Sequence, residues 1–359
     1  MLISFLGNTI SVLGLFPYKI YIFNLIRRRI MKKLLSMILA SVLIFTLAGC
    51  GGGEEAAPEA ETDGKTVKVG VSIYKFDDNF MTLYRQELER YFEEDLSADG
   101  TTYDVTVVDG KNDQAEQTNQ VNTFIADGVD VLVVNLVQAS AAPTVIEAAK
   151  AADIPVIFIN REPTAEDLAT YDKACYVGAD ARQSGTFQGE IIANLENKGD
   201  YNGNGVVDYV MIMGDPENVD AQYRTEFSIK ALTDAGLKVN KLFEQRGDWD
   251  QAKGQELANT ALTQFGNEID VIFCNNDGMA LGAAQAIAAN GRTVGKDIAL
   301  VGVDALEECQ QMVKDGTMTG TVLNDHVGQA HQAADAAKLV VGGGTLEKNY
   351  TVDYVKIAE

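Results

Sequence analysis

From residue 67 onward, short apolar runs rich in β-branched residues alternate with amphipathic stretches of helical period. Five such runs come first, at 67–73, 105–109, 131–135, 155–160 and 175–177. The stretches between them predict helices over 80–95, 114–127 and 142–152. Alternation of this kind indicates βαβ units and a parallel sheet that is buried on both faces.

A second series of the same kind follows. Its strand-like runs are 209–213, 239–244, 271–275, 299–303 and 320–323. Its helices are predicted over 221–235, 251–265, 279–290, 306–315 and, in the tail, 329–341. Two sets of βα units predict an α/β fold of two doubly wound parallel-sheet domains, with a ligand crevice at the carboxyl ends of the strands.

Polar clusters stand at the points where strands give way to helices. They occupy 74–80, 160–162, 214–220, 275–277, 303–304 and 323–325, with Arg224 just beyond the third cluster. A single cluster is well explained by helix capping, since Asp and Asn are preferred N-cap residues. Six clusters in both halves, at the end of the sheet where ligands bind, favour a polar cleft.

The chemistry of these clusters favours a sugar as the ligand of the cleft. The candidate groups are carboxylates, carboxamides and Arg224, without a G-x-G-x-x-G or GK[ST] phosphate cradle. Planar groups of this kind suit sugar hydroxyls, each of which both donates and accepts hydrogen bonds. Phe80 and Trp249 could cover the apolar faces of a pyranose ring. The alternative for Trp249 is core packing, but the flanking Asp248 and Asp250 favour the cleft edge.

Charge excludes one class of function. The chain is 46% hydrophobic and 23% charged, as expected of globular domains, and its net charge is −23. Residues 1–49 contain six basic residues and no acidic ones, so the remainder is still more acidic. A surface of this charge repels phosphate backbones, and we therefore expect no nucleic-acid binding.

The N-terminal region predicts export and a lipid anchor. Residues 31–49 have the charged start and apolar run of a signal peptide, and the following Leu-Ala-Gly-Cys ending resembles a lipobox. Cys50 would then be the lipidated first residue of the mature protein, although an ordinary signal with an incidental cysteine is the alternative. Residues 1–30 are either a second apolar anchor or, as we favour, the product of a misassigned start codon. Residues 50–65 are expected to be a flexible tether.

A loop that begins at Asp200 matches the opening of the D-x-[DN]-x-[DN]-G calcium motif. The twelfth position, where such loops carry a bidentate glutamate, is Met211. From the loop alone, two interpretations stay open. It is either an Asn/Gly turn or a calcium site whose last carboxylate comes from elsewhere in the chain.

Six motifs identify a family resemblance. The segments 73–81, 160–163, 171–180, 274–277, 302–306 and 320–325 closely resemble, in order and spacing, the galactose/glucose-binding proteins of bacterial ABC sugar uptake. The resemblance implies a periplasmic-binding-protein type I fold, in which two domains joined by a three-strand hinge close on one sugar. The implied domains are 66–177 plus 325–345, and 178–324 plus 346–359 with the calcium loop.

The same resemblance implies roles for individual residues. Asp78 would bind the sugar hydroxyl near C4, and Phe80 and Trp249 would sandwich the ring. Asn218 stands where the family usually has histidine. The remaining sugar ligands would be Asn160, Asp220, Arg224, Asn276, Asp304 and Asn324. A structural calcium ion would be bound by Asp200, Asn202, Asn204, the Val206 carbonyl, Asp208 and Asp270.

The leading hypothesis is therefore a monomeric, lipid-anchored, extracytoplasmic binding protein that delivers D-galactose or D-glucose to the permease and ATPase subunits of an ABC importer. The alternative is a sensor that presents its sugar complex to a chemoreceptor or membrane kinase. An enzyme using Asp78 and Asp304 as an acid/base pair is a poor third. A sugar-responsive repressor is excluded by the secretion signal and the missing basic helix-turn-helix.

Overall fold

The computed structural model describes residues 65–358 of the 359-residue chain. Residues 1–30, the predicted signal, the lipidation site Cys50 and the tether up to residue 64 lie outside the described residues. Within 65–358, none of the helices combines the length and the apolar character needed to cross a membrane.

The first domain is built on a six-stranded sheet in which every strand pair is parallel, with the order β11-β5-β4-β3-β1-β2. Its strands are β1 (Thr66–Ile73), β2 (Thr102–Asp109), β3 (Val131–Val134), β4 (Val156–Ile159), β5 (Ala174–Gly178) and β11 (Asn349–Thr351). Its helices are α1 (Asn79–Arg90), α2 (Gln114–Ala126), α3 (Ala142–Ala151), α4 (Ala165–Ala169) and α10 (His326–Val341). After α1, the chain continues through a π-helical turn (Tyr91–Asp95) and a 3-10 turn (Leu96–Asp99).

The second domain has a sheet of order β12-β10-β9-β8-β6-β7, parallel except for the antiparallel edge strand β12. Its strands are β6 (Val207–Met213), β7 (Val239–Arg246), β8 (Val271–Cys274), β9 (Ala299–Val301), β10 (Gly320–Leu323) and β12 (Val355–Ala358). Its helices are α5 (Ala181–Ala193), α6 (Val219–Asp234), α7 (Gln251–Phe265), α8 (Asp277–Ala289) and α9 (Glu307–Lys314). The predicted α/β fold of two parallel-sheet domains is confirmed.

The chain crosses between the domains three times, after β5, after β10 and after β11. The last crossing corrects one expected boundary. The sequence predicts residues 346–359 in the second domain, but Asn349–Thr351 pairs with β5 of the first sheet. The boundary therefore lies between Thr351 and Val355. The sequence could not show this, because the three-residue edge strand has no apolar pattern of its own and is positioned by its pairing.

The cores follow from helices that cover both faces of each sheet. Strand β3 is buried along its whole length, as a central parallel strand should be. Against the same sheet, α10 presents the alanines Ala330, Ala333, Ala334 and Ala337, which are at most 1% exposed. Their spacing of i, i+3, i+4 and i+7 defines one helix face, and their small size lets the helix lie close to the strands.

Candidate functional site

A cavity lies between the two domains, at the carboxyl ends of the strands. It has about 340 Å³ of space free of protein atoms, including its opening to solvent. All ten residues predicted to bind sugar line it: Asp78, Phe80, Asn160, Asn218, Asp220, Arg224, Trp249, Asn276, Asp304 and Asn324. Three further lining residues were not predicted, namely Tyr74, Met81 and Arg161. Tyr74 and Arg161 stand inside two of the polar clusters, so adjacency to the motifs was the available signal.

Asp78 and Phe80 are placed by the start of α1. Asp78 is the N-cap, and its Oδ1 accepts a hydrogen bond from the Met81 backbone N–H at 2.8 Å. Its Oδ2 accepts one from the Tyr74 hydroxyl at 2.6 Å. Two residues further on, Phe80 is buried and packs edge-on against Tyr84, with ring centroids 6.1 Å apart. Capping thus fixes both a carboxylate and an aromatic ring at the cavity wall.

Asn160 and Asn276 are held by hydrogen bonds within their own domains. Asn160 has a left-handed backbone (φ 61°), and its Oδ1 accepts from Nδ2 of Asn135 at 3.1 Å. Asn276 caps α8 by accepting from the Met279 N–H at 3.0 Å. Its Nδ2 donates to the Trp249 carbonyl at 3.3 Å, which ties two lining residues together.

Asn218 serves both the fold and the cavity. It caps α6, where its Oδ1 accepts from the Asp220 backbone N–H at 3.0 Å. Its Nδ2 donates to none of the described residues, although the residue is only 6% exposed. Because capping uses the oxygen, Asn218 offers the cavity a hydrogen-bond donor.

Arg224 is the buried charge at the centre of the second domain's wall. Its Nη1 donates to the Asn275 carbonyl at 2.8 Å, and its Nη2 donates to the Tyr354 hydroxyl at 2.9 Å. Nη2 also lies 3.4 Å from Oδ2 of Asp220. Tyr354 was missed by the sequence analysis, because it comes from the C-terminal segment 130 residues away.

Burial raises the pKa of two carboxyl groups in this wall. Asp220 has its pKa raised from 3.8 to about 6 by burial, against the lowering effect of Arg224 and Arg161. Burial also holds the pKa of Asp304 well above its usual range, although Arg224 and a 3.4 Å hydrogen bond from Asn324 favour the ionised form. Buried carboxylates with so few protein donors are stabilised by a ligand that donates hydrogen bonds to them.

Trp249 forms the aromatic wall in the second domain. It is half-buried, with one part of the side chain packed against the core of the second domain and another lining the cavity, and its backbone is left-handed (φ 65°). Gly214 lies directly against the ring, since a Cβ on this glycine would be 2.2 Å from ring carbons. The ring and the Arg224 guanidinium are 5.7 Å apart, within the range of cation–π attraction.

The predicted calcium loop is held by hydrogen bonds to carboxylates, of which Asp270 comes from a distant part of the chain. Asp270, fully buried, accepts from the backbone N–H groups of Tyr201, Asn202 and Asp208 at 2.8–2.9 Å. The side-chain nitrogens of Asn202 and Asn204 donate to Oδ2 of Asp208 at 3.1 and 2.7 Å.

The Asp200 carboxylate accepts hydrogen bonds from two backbone N–H groups of the loop, that of Gly203 on Oδ1 at 2.7 Å and that of Gly205 on Oδ2 at 2.9 Å. Across residues 65–358, no three acidic, His or Cys side chains are arranged to hold a metal ion. The loop does bring carboxylate and carboxamide oxygens together, which are donors of the type that calcium prefers, although not in a metal-binding arrangement. To bind a cation, the two carboxamides would have to turn their oxygens toward Asp208.

Comparison with known proteins places the chain in a family. A model of the periplasmic binding protein domain matches residues 69–345. Over 266 residues, the chain is 40% identical to the D-galactose/methyl-galactoside binding periplasmic protein of Haemophilus influenzae, covering 73% of this chain and 78% of that protein. Over 326 residues, it is 33% identical to the putative rhizopine-binding protein of Rhizobium meliloti, covering 90% and 95%.

A solved structure of another protein has the same fold. An ABC transporter solute binding protein from Bacillus halodurans with bound myo-inositol matches with a TM-score of 0.72 at 27% identity, covering 83% of this chain and 96% of that one. These matches confirm the family resemblance that the motifs indicated. The chain therefore belongs to the periplasmic binding protein family of non-enzymatic, extracytoplasmic solute-binding proteins, and it shares the type I fold of the sugar-binding proteins of ABC transporters.

Proposed function

We propose that the protein binds D-galactose or D-glucose in the interdomain cavity and delivers it to the permease and ATPase subunits of an ABC importer. The observation that carries the proposal is the cavity wall, in which carboxylates, carboxamides and three aromatic rings from the two domains surround one small space. The space is small and lined mainly by polar side chains, as suits a single sugar ring.

The choice of hexose rests on residues that match the family motifs, above all Asp78 for the hydroxyl near C4. The similarity to a galactoside-binding protein of Haemophilus influenzae supports the same choice. The Bacillus halodurans neighbour holds myo-inositol, also a ring bearing hydroxyl groups. Hydroxylated rings other than hexoses are therefore the comparison ligands that a test has to include.

The proposed mechanism is closure of the domains around the sugar. Asp78, Phe80 and Asn160 come from the first domain, whereas Arg224 and Trp249 stand on the second. A ligand reaches both sets only when the domains are together, so binding shifts the population toward the closed form. The three crossing segments are the hinge in this mechanism, and the closed form is the one that the permease would recognise.

The test uses the fact that Trp249 is the only tryptophan of the chain. The protein starting after Cys50 is titrated with D-galactose, D-glucose, D-ribose and myo-inositol while its fluorescence is followed. We expect saturable changes with the hexoses at concentrations on the order of micromolar, and much weaker responses to the other two. Asp78→Asn should weaken binding, whereas Asp77→Asn, which changes the exposed neighbour, should not. Silence with every ligand would refute the proposal.

Closure itself is measured separately by small-angle X-ray scattering. Saturating hexose should lower the radius of gyration of the wild-type protein and leave that of the Asp78→Asn variant unchanged at the same concentration. A radius that stays constant in the wild-type protein, at a sugar concentration that saturates its fluorescence, would refute the hinge mechanism while leaving the binding site in place.

We also propose that Cys50 carries a lipid that anchors the protein to the cell membrane. The proposal is supported by the Leu-Ala-Gly-Cys ending of the apolar run 34–47. Cells fed a labelled fatty acid should yield labelled, membrane-associated wild-type protein and unlabelled Cys50→Ala protein. Equal labelling of the two would refute the assignment.

Calcium binding at the loop beginning with Asp200 is our third proposal. Its support is the donor set, three carboxylates and two carboxamides around one loop. Calcium should raise the unfolding temperature of the EDTA-treated protein, and Asp208→Asn should abolish the rise. A wild-type protein indifferent to calcium would refute the site.

A further inference from the structure

One ion pair spans the cleft beside the cavity. Arg161 follows β4 in the first domain, and Asp215 follows β6 in the second. The distance from Nη1 of Arg161 to Oδ2 of Asp215 is 3.6 Å, and their side chains are 3% and 16% exposed. Of the ion pairs between residues 65 and 358, this is the one that joins the two domains across the cleft. Its partial burial reduces screening by water and salt.

Arg161 is held in place within the first domain. Its guanidinium stacks on the Tyr74 ring, with 4.0 Å between Cζ and the ring centroid, and Nη1 donates to the Val137 carbonyl. The Tyr74 hydroxyl in turn donates to Asp78 at 2.6 Å. The first-domain end of the ion pair is therefore preorganised and tied to a carboxylate of the cavity wall.

Asp215 is held equally well within the second domain. Its Oδ1 lies 3.4 Å from Nη2 of Arg246, whose Nε donates to Asp248. Asp248 directly precedes Trp249, and Gly214, the residue before Asp215, lies against the Trp249 ring. The second-domain end is thus tied from two sides to the loop that carries the aromatic wall.

We propose that Arg161 and Asp215 form a latch that stabilises the closed form of the protein and, through it, the affinity for the ligand. Asp215 is not among the residues that line the cavity, so it is a positioning residue and not a ligand-binding one. The proposal deepens the proposed function and rests on it for the identity of the ligand. Domain closure brings the latch together, whichever ring occupies the cavity.

The latch has a signature that direct sugar contacts lack. A hexose carries no net charge, so its direct contacts with the protein make binding depend little on salt concentration. Charges that approach one another on closure do make affinity depend on salt. Since apparent affinity is scaled by the fraction of protein in the binding-competent form, weakening the latch at Asp215, which does not line the cavity, lowers affinity without removing a sugar contact.

The test compares two charge-neutralising variants two residues apart. Asp215→Asn removes the latch charge but keeps an oxygen for the hydrogen bond that Asp215 accepts from the Glu217 N–H. Glu217→Gln is the matched control, because Glu217 is exposed and forms no ion pair among the described residues. At low salt, we expect Asp215→Asn to bind hexose about five- to tenfold more weakly than wild type, with Glu217→Gln within about twofold.

Salt and a double mutant separate the latch from a local structural role. Between about 50 mM and about 500 mM NaCl, wild type and Glu217→Gln should lose affinity, while Asp215→Asn changes less. In an Arg161→Gln background, Asp215→Asn should have little further effect on affinity, because the cross-cleft partner is already gone and the remaining partner, Arg246, is exposed and belongs to the same domain as Asp215. Additive losses, or one salt dependence shared by all variants, would overturn the latch.

Scattering from the ligand-free proteins distinguishes failure of the latch from failure of the proposed function. At low salt, Asp215→Asn should have a larger radius of gyration than wild type and Glu217→Gln, because its domains open more often. Equal radii would overturn the latch even if hexose binds. Absence of hexose binding by the wild-type protein would instead refute the proposed function. The comparison of ligand-free radii of gyration between wild type and Asp215→Asn would still test the latch in that case.

Discussion

Replacing the buried carboxylate of Asp220 by a carboxamide should stabilise the ligand-free protein while removing its sugar affinity. Asp220 is 5% exposed, and its carboxylate pairs with Arg224 at 3.4 Å. Burial is the largest cause of its raised pKa, exceeding the opposing attraction of Arg224 and Arg161, and the negative charge of Asp180 adds to the rise. The ionised form is therefore held in the fold at a cost that an uncharged isostere avoids.

The magnitude follows from the pKa. A rise from 3.8 in the unfolded chain to about 6 in the fold corresponds to about 3 kcal/mol of stability. Because the folded pKa is the higher one, this stability is fully present below pH 3.8 and is lost as the pH rises through 6. The substitution also leaves Arg224 without its carboxylate partner, so we expect a net gain of about 1–3 kcal/mol for Asp220→Asn above pH 7.

The assay is urea unfolding of wild type and Asp220→Asn at about pH 4, 6 and 8, with exposed Asp77→Asn as the control for a charge change. The free energy of unfolding gained by Asp220→Asn should be near zero at the lowest pH and grow toward the highest, while the control tracks wild type. Hexose affinity should fall at least about a hundredfold, because a sugar hydroxyl loses a charged acceptor. A stability difference that does not change with pH, or that favours wild type at pH 8, would refute the reasoning.

Three further predictions follow from single contacts. Asn218→Asp keeps the cap of α6 but replaces the donor that faces the cavity by a buried carboxylate, so calorimetry at pH 8 should show at least about tenfold weaker hexose binding together with lower stability. Asn218→Ala should lose the donor and the cap, with a loss of about 1 kcal/mol of unfolding free energy. Gly214→Ala should displace the Trp249 ring, changing its fluorescence and weakening hexose binding about tenfold; unchanged spectra would contradict this packing. The Arg90 hydrogen bond lowers the pKa of Glu87 to about 2, so Glu87→Gln should destabilise the protein above pH 4.5, and the difference should vanish in acid titrations as the pH falls through 2.

Long apolar runs and polar clusters were enough to predict most of the fold and the wall of the cavity. Both signals are local, since a buried parallel strand is apolar along its length and an N-cap stands one residue before its helix. Strand β11 and helix α5 were not predicted, because neither has a clear hydrophobic pattern. The exposed strand Asn349–Thr351 is ordered by pairing with β5, and Ala181–Ala193 mixes polar and small residues. These two elements form because of contacts with residues far away in the sequence, which a local pattern does not show.

The same limit applies to Tyr354 and Arg161. The Tyr354 hydroxyl accepts a hydrogen bond from the guanidinium of Arg224, 130 residues earlier in the chain. No motif near Tyr354 indicates this contact. Arg161 stands next to a predicted ligand, but its cross-cleft partner, Asp215, depends on how the two domains meet. Local patterns thus locate groups that face a cleft, whereas the groups that hold those faces together depend on tertiary structure.

The cavity wall concentrates conformations and charges that a fold does not favour by itself. Asn160, Trp249 and Asp304 all have positive φ angles, of 61°, 65° and 122°, in a region that suits glycine. Asp220 and Asp304 also keep carboxylates in a buried wall, where burial raises both pKa values. Residues under this much strain and desolvation gain most from a ligand that supplies hydrogen-bond donors. Burial of the Asp220 carboxylate costs free energy in the ligand-free protein, and a bound sugar hydroxyl would offset that cost by donating a hydrogen bond. The substitution Asp220→Asn removes the same cost without a ligand, so it should stabilise the protein and lower its sugar affinity for one and the same reason.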